Sequence, residues 1–336
     1  MKVLVSIPEG NVRDGFLDKG SLKLLEDNFE VSYNDLGRNY TKDELSLAAM
    51  DTDILITGWG TPTLIGGLGG NSRLRMIAHT AGSVGDLLDN EAYEKGIKVV
   101  SGNRLFAESV AEGTIAYMMS ALRKIPDEID GLRDGFWRHP DVTETRGLLD
   151  RQIGIIGYGM ISRCLMQMLS AFRCSFRIFS HHPMDEKFLA SVNATPASSI
   201  DEIFTTCDIV SLHSSLGGST KSMLGKEHFE MLPKNAVFIN TARGKIIKES
   251  ELTEVLKKRP DIFAVLDVFE KEPLDIESEL RRLKNVYPLP HRAGPTNDRF
   301  PYIGRAVVED VIRFKNGEEL LHEISAGYAT RMTRHI

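Results

Sequence analysis

Short apolar runs alternate with stretches of helical periodicity along most of this 336-residue chain, and few folds accept that pattern. Lys2–Ile7, Ile54–Thr57, Met76–Thr80 and Lys98–Val100 read as buried strands with helices between them. A strand, a helix and a second strand make a βαβ unit, so the alternation predicts a parallel sheet. A second series follows at Gln152–Ile156, Phe176–Phe179, Ile209–His213, Ala236–Asn240 and Phe263–Leu266. The length exceeds one comfortable core. The expectation is therefore an α/β protein with two doubly wound parallel-sheet domains, the second sheet the larger. Helical spacing runs from Leu105 to Arg123 and again from Pro301 to Phe314, before a polar tail. The glycine-rich stretch Gly66–Gly70 reads as a loop too irregular to cradle a phosphate.

Composition removes several function classes. The net charge is −6 and the basic runs, Lys257-Lys258-Arg259 and Arg281-Arg282, are short, so no nucleic-acid footprint is expected. No apolar run approaches the roughly 20 residues that span a bilayer, so no membrane partner is expected. The first residues, Met1 to Pro8, read as a strand rather than a signal peptide. Cys164, Cys174 and Cys207 are odd in number, lack metal-ligand spacing and sit in apolar stretches. They fit a reducing, cytoplasmic compartment, and no metal site is expected. The pair Met118-Met119 reads as core or as subunit interface.

Strand Gln152–Ile156 runs into Gly157-Tyr158-Gly159-Met160-Ile161-Ser162 and then a helical pattern. That context turns a common glycine spacing into a dinucleotide-binding signal. Gly157 allows the tight turn, Gly159 lets a pyrophosphate approach, and Met160 and Ile161 open the helix whose N–H groups face it. Ser162 replaces the usual third glycine, a mild departure. NAD enzymes carry an acid at the end of the next strand. Here Phe179-Ser180-His181-His182-Pro183 stands there, and no carboxylate occurs before Asp185. Two readings stay open: Ser180, His181 and His182 donate to a 2′-phosphate, giving NADP tolerance or preference, or both histidines are exposed loop residues and NAD binds without the acid.

Four blocks then resemble the D-isomer-specific 2-hydroxyacid dehydrogenases: Gly154–Gly159, Ile239–Gly244, Leu266–Pro273 and Pro290–Gly294. Weaker echoes lie at Asn103, Val110-Ala111-Glu112, Trp137 and Ser211-Leu212-His213. The resemblance implies a Rossmann-type cofactor domain (104–294) inserted in a flavodoxin-like substrate domain (1–103 with 295–336). It implies hydride transfer between NAD or NADP and C2 of a small D-2-hydroxy or 2-oxo acid. By the same resemblance Arg243 binds the substrate carboxylate, His291 exchanges the proton with the C2 oxygen, and Glu272 holds one nitrogen of that ring. Thr241, Ala242 and His213 line the cofactor cleft, Asp267 faces the nicotinamide carboxamide, and N–H groups near Gly82 and Ser83 give the second carboxylate contact. Ser215 stands where the family often has proline. Family members are commonly homodimers. A different class of reading is a non-catalytic dinucleotide sensor that binds a protein partner, but all three chemical residues are present, which argues against it.

Overall fold

The computed structural model describes residues 1–67, 73–140, 142 and 144–334; the part of the Gly66–Gly70 loop reading that falls on 68–70 lies outside them. The chain forms two compact units: Met1–Ala107 with the segment that starts at Pro295, and Glu108–Gly294.

The first unit is built on β1 (Lys2–Pro8), β2 (Glu30–Asn34), β3 (Ile54–Thr57), β4 (Met76–His79) and β5 (Lys98–Ser101), all parallel in the order β2-β1-β3-β4-β5. Strands β3 and β4 carry no acid, lysine or arginine and are buried throughout, as a parallel sheet covered on two sides requires. Alternate residues serve opposite layers. Val3, Val5, Ile54 and Ile56 pack with Phe16, Val307 and Val311, while Leu4, Leu55, Ile77 and Val99 pack with Leu45, Leu88 and Ala92. Val307 and Val311 belong to the helix Arg299–Asn316. The polar tail expected after Phe314 is more ordered than that. Glu323 bridges to Val100, Ala326–Ala329 is helical, and Ile324 and Met332 are buried.

The second unit carries β6 (Gln152–Ile156), β7 (Ser175–Phe179), β8 (Ala194–Pro196), β9 (Ile209–Leu212), β10 (Val237–Asn240), β11 (Phe263–Leu266) and β12 (Val286–Pro288). All are parallel, in the order β12-β11-β10-β9-β6-β7-β8. Ile156, Val210, Leu212, Phe238 and Leu266 face a layer containing Phe204, Phe229 and Leu252. Ile153, Ile155, Phe176, Ile239 and Val265 face the other, with Met118, Leu165 and Leu169. Reversal of strand order between β6 and β9 puts the carboxyl ends of these two strands at a topological switch point, where ligands of open α/β sheets bind. Strand β9 stops at Leu212, so His213 lies in the loop rather than in the strand. Cys174 and Cys207 are buried and Cys164 is half-buried, all as free thiols. No helix of the described residues is long and apolar enough to cross a membrane.

Candidate active site

At the end of β6 the chain turns at Gly157, whose φ is +104°. A Cβ there would stand 2.6 Å from Ser214 N and 2.7 Å from His213 C, so only glycine lets this turn lie against the end of β9. Gly159 faces the other way: a Cβ on it would meet nothing within 4 Å. The helix Met160–Leu169 starts immediately after, and its first N–H groups have no carbonyl of their own helix to bind. Ser162 is fully buried. Its Oγ accepts the Gly159 N–H at 2.8 Å and donates to the Gly159 carbonyl at 3.1 Å. The hydroxyl thus ties the turn to the helix, and the departure from glycine has a structural use. Open space over Gly159 beside the Met160 and Ile161 amides fits the pyrophosphate of a nicotinamide dinucleotide.

His213 sits beneath this turn. Its N–H donates to the Ile156 carbonyl at 2.7 Å and its Nε2 lies 2.8 Å from Ser211 Oγ. Burial pushes its pKa down to about 3, and burial likewise pushes His79 down to about 4. Both rings are therefore neutral in the folded chain, whereas unfolded they take a proton near 6.5. Their contribution to stability is complete above that value and is lost as pH falls towards the folded values. The loss amounts to about 1.4 kcal/mol per pH unit for each ring at most. Thermal melts are expected to show the midpoint dropping between neutral pH and about pH 4, less steeply in His213→Asn. An equal slope in the variant removes His213 from this account.

Three loops at the carboxyl ends of the adjacent strands β10, β11 and β12 carry the polar chemistry. After β10, buried Asn240 forms an Asx turn: its Oδ1 accepts the Ala242 N–H at 3.0 Å, and its Nδ2 donates to the Arg243 carbonyl at 3.2 Å. Thr241 Oγ1 is 3.1 Å from Thr114 Oγ1. Half-buried Arg243 follows, Nη1 donating to the Ala242 carbonyl at 2.6 Å. Gly244 then packs on the next loop, where an added Cβ would fall 1.8 Å from the Phe269 carbonyl carbon. Gly244→Ala is expected to push these loops apart, costing about 1–3 kcal/mol of stability. A thermal melt unchanged from the parent would show that the contact yields freely.

After β11, Glu272 is oriented by the Phe269 N–H, which donates to its Oε1 at 3.1 Å. Its Oε2 is 2.8 Å from Nδ1 of His291, in the loop after β12. Both side chains are partly exposed, 37% for Glu272 and 48% for His291, so the pair is open to a solute. His291 has a φ of +54°, an uncommon backbone for a residue with a side chain, and the neighbouring contacts hold it there. Chief among them is Asp267. It is nearly fully buried and accepts the Arg292 N–H at 2.7 Å, the Ala293 N–H at 2.9 Å and the Tyr117 hydroxyl at 3.2 Å. Burial raises its carboxyl pKa, opposed by those two N–H donors.

The profile of the D-isomer specific 2-hydroxyacid dehydrogenase NAD binding domain matches residues 115–293, more than half of the chain. The chain belongs to this family. It is 31% identical over 321 residues to a D-3-phosphoglycerate dehydrogenase of Methanocaldococcus jannaschii, covering 95% of this chain but 58% of that protein. It is 28% identical to a glyoxylate reductase of Korarchaeum cryptofilum, over 73% of this chain and 74% of the relative. The solved PH0520 protein of Pyrococcus horikoshii OT3 superposes with a TM-score of 0.79 at 24% identity, over 96% and 95% of the two chains.

This member of the D-2-hydroxyacid dehydrogenase family brings Arg243, Glu272, His291, Asp267, Thr241 and Ala242 together in one unit with Gly157, Gly159, Met160, Ile161 and His213. Ser180 and His181 lie in the same unit, just after β7; Ser180 Oγ accepts the His182 N–H at 3.0 Å, and His181 packs edge-on against Phe179. Gly82 and Ser83 lie in the other unit. There the Gly82 carbonyl accepts from Ser101 Oγ at 2.6 Å, and Ser83 Oγ donates to the Thr333 carbonyl at 3.1 Å. Sequence reasoning assigned no role to Asn240, Tyr117 or Thr114. Only Asn240 carried a signal, as a turn-forming residue two positions before Ala242.

Proposed function

We propose that the protein is a nicotinamide-dependent oxidoreductase acting at C2 of a small D-2-hydroxy or 2-oxo acid. The observation that carries this is the His291–Glu272 pair at 2.8 Å, in loops next to the one that bears Arg243. An NAD or NADP bound at the Gly157–Ile161 turn would supply or accept the hydride. In reduction, the Arg243 guanidinium takes the substrate carboxylate, for which its fork is suited. Glu272 holds Nδ1 of His291, so that Nε2 faces the substrate and gives its proton to the C2 oxygen as C2 gains hydride. In oxidation the same nitrogen takes the proton back. Asp267 keeps the His291 loop in place through Arg292 and Ala293, and Thr241 and Ala242 border the cofactor.

Residues 104–294 are read as the dinucleotide-binding domain and the remainder as the substrate domain, with the Gly82–Ser83 turn giving its backbone N–H groups to the acid. A homodimer in the cytoplasm is part of this reading. Ile129, Leu132 and Trp137 stand exposed within or just after the helix Ile125–Arg133, a face that a second copy would cover, and the three cysteines are free thiols.

The test is absorbance of the reduced nicotinamide, with NADH and NADPH separately, against 2-oxo acids headed by glyoxylate and hydroxypyruvate. Turnover is the expected result. Cofactor binding with no turnover across the panel would overturn the reading in favour of a dinucleotide sensor.

A further inference from the structure

We infer that Arg163 selects the cofactor: its guanidinium anchors an adenosine 2′-phosphate, so that NADPH is taken in preference to NADH. This rests on the cofactor reading above and extends it to one side chain. Where an acid would bind the ribose hydroxyls, β7 is followed by Ser180, His181, His182 and Pro183, none of them negative. The first carboxylate along the loop, Asp185, is engaged at the helix Glu186–Ser191, where its Oδ1 accepts the Phe188 N–H at 3.1 Å.

Arg163 meets this loop from the helix that follows the glycine turn. Its Nη1 donates to the Tyr158 hydroxyl at 2.6 Å, and that oxygen also accepts the Asp185 N–H at 3.3 Å. The guanidinium carbon lies 4.0 Å from the centre of the Phe188 ring, which supports the planar group from one side. Tyr158 stands between Gly157 and Gly159, so one cation joins the dinucleotide turn to the loop after β7. Its only ion pair among the described residues is to Asp185 Oδ2, at 3.7 Å, with Arg163 35% and Asp185 50% exposed. A long pair in that much solvent is weak. A phosphate dianion beside Ser180 and His181 displaces it, and it takes the Nε and Nη2 edge of the fork, which no hydrogen bond among the described residues uses. Arginine is the side chain whose geometry matches phosphate in this way.

The experiment is calorimetric titration of the cofactor-free protein with 2′,5′-ADP and with 5′-AMP, two probes that differ only in the 2′-phosphate. The expected result is tighter binding of 2′,5′-ADP by about 10-fold or more, the range of charge-assisted hydrogen bonds. Arg163→Ala abolishes that difference and Arg163→Lys keeps part of it. Asp185→Asn retains the helix cap, removes the competing charge and widens the difference. Equal binding of the two probes by the parent protein overturns the inference while leaving the cofactor reading intact. So does a difference that survives in Arg163→Ala, which would assign selection to the histidines. Failure of both probes to bind would remove the cofactor reading and the inference with it. Should Arg163→Ala not fold, Asp185→Asn decides, and an unchanged ratio there counts against Arg163.

Discussion

His291→Ala lowers kcat for 2-oxo acid reduction by about 10³-fold, within the range for loss of a positioned acid or base, while the cofactor still binds. The reason lies in the geometry. Glu272 holds Nδ1 at 2.8 Å and is itself held by the Phe269 N–H, so one ring nitrogen is committed while the side chain stays 48% exposed. His291 already sits at a φ of +54°, and alanine takes that conformation less readily than histidine, so the variant also loses some stability. Asparagine adopts this conformation more readily, so His291→Asn separates the two effects. It should lose the same turnover and melt closer to the parent. Initial rates with saturating cofactor measure the first, and thermal denaturation the second. Turnover within about 10-fold of the parent in both variants would remove His291 from the proton-transfer role.

Arg243→Lys lowers kcat/KM for the oxo acid by about 10–100-fold, since lysine keeps the charge but not the paired N–H groups. The loop should survive, because the Asx turn at Asn240 and the contact of Gly244 on Phe269 do not depend on that side chain. Cofactor affinity should therefore be preserved, and a dissociation constant measured beside the kinetics checks it. If kcat/KM is unaltered, some other group binds the substrate carboxylate.

Every interior strand was legible in the sequence, whereas of the four edge strands only Lys98–Ser101, with its apolar Val99-Val100, was. Ile54–Thr57, Phe263–Leu266 and, after its exposed first residue, Gln152–Ile156 are buried on both faces, and their bounds agree with the structure to the residue. The three strands that escaped notice, Glu30–Asn34, Ala194–Pro196 and Val286–Pro288, all lie at sheet edges. There one side lacks a neighbour, so a short segment with Glu30, Thr195 or a proline suffices and leaves no apolar run to see.

The candidate site was legible as residue types in blocks, and its supports were not. Arg243, Glu272 and His291 stand in recognisable runs, but nothing in the spacing shows that Asp267 accepts two N–H groups from the His291 loop. The Tyr117 contact spans 150 residues, a separation that periodicity does not address. Ser162 is the opposite case. It read as a departure, and the structure gives its hydroxyl two hydrogen bonds in the turn.

Arg243, Glu272 and His291 stand in the loops that leave three neighbouring strands, and this has a consequence for how such a protein can change. Parallel strands sit about 4.8 Å apart because backbone hydrogen bonds set the interval. The spacing of the loops that carry these side chains thus follows the sheet, and side chains elsewhere can vary without moving it. Substitutions away from these loops therefore leave the relative placement of the three side chains unchanged. A one-residue slip of β11 against β10 or β12 would undo what many surface substitutions leave alone.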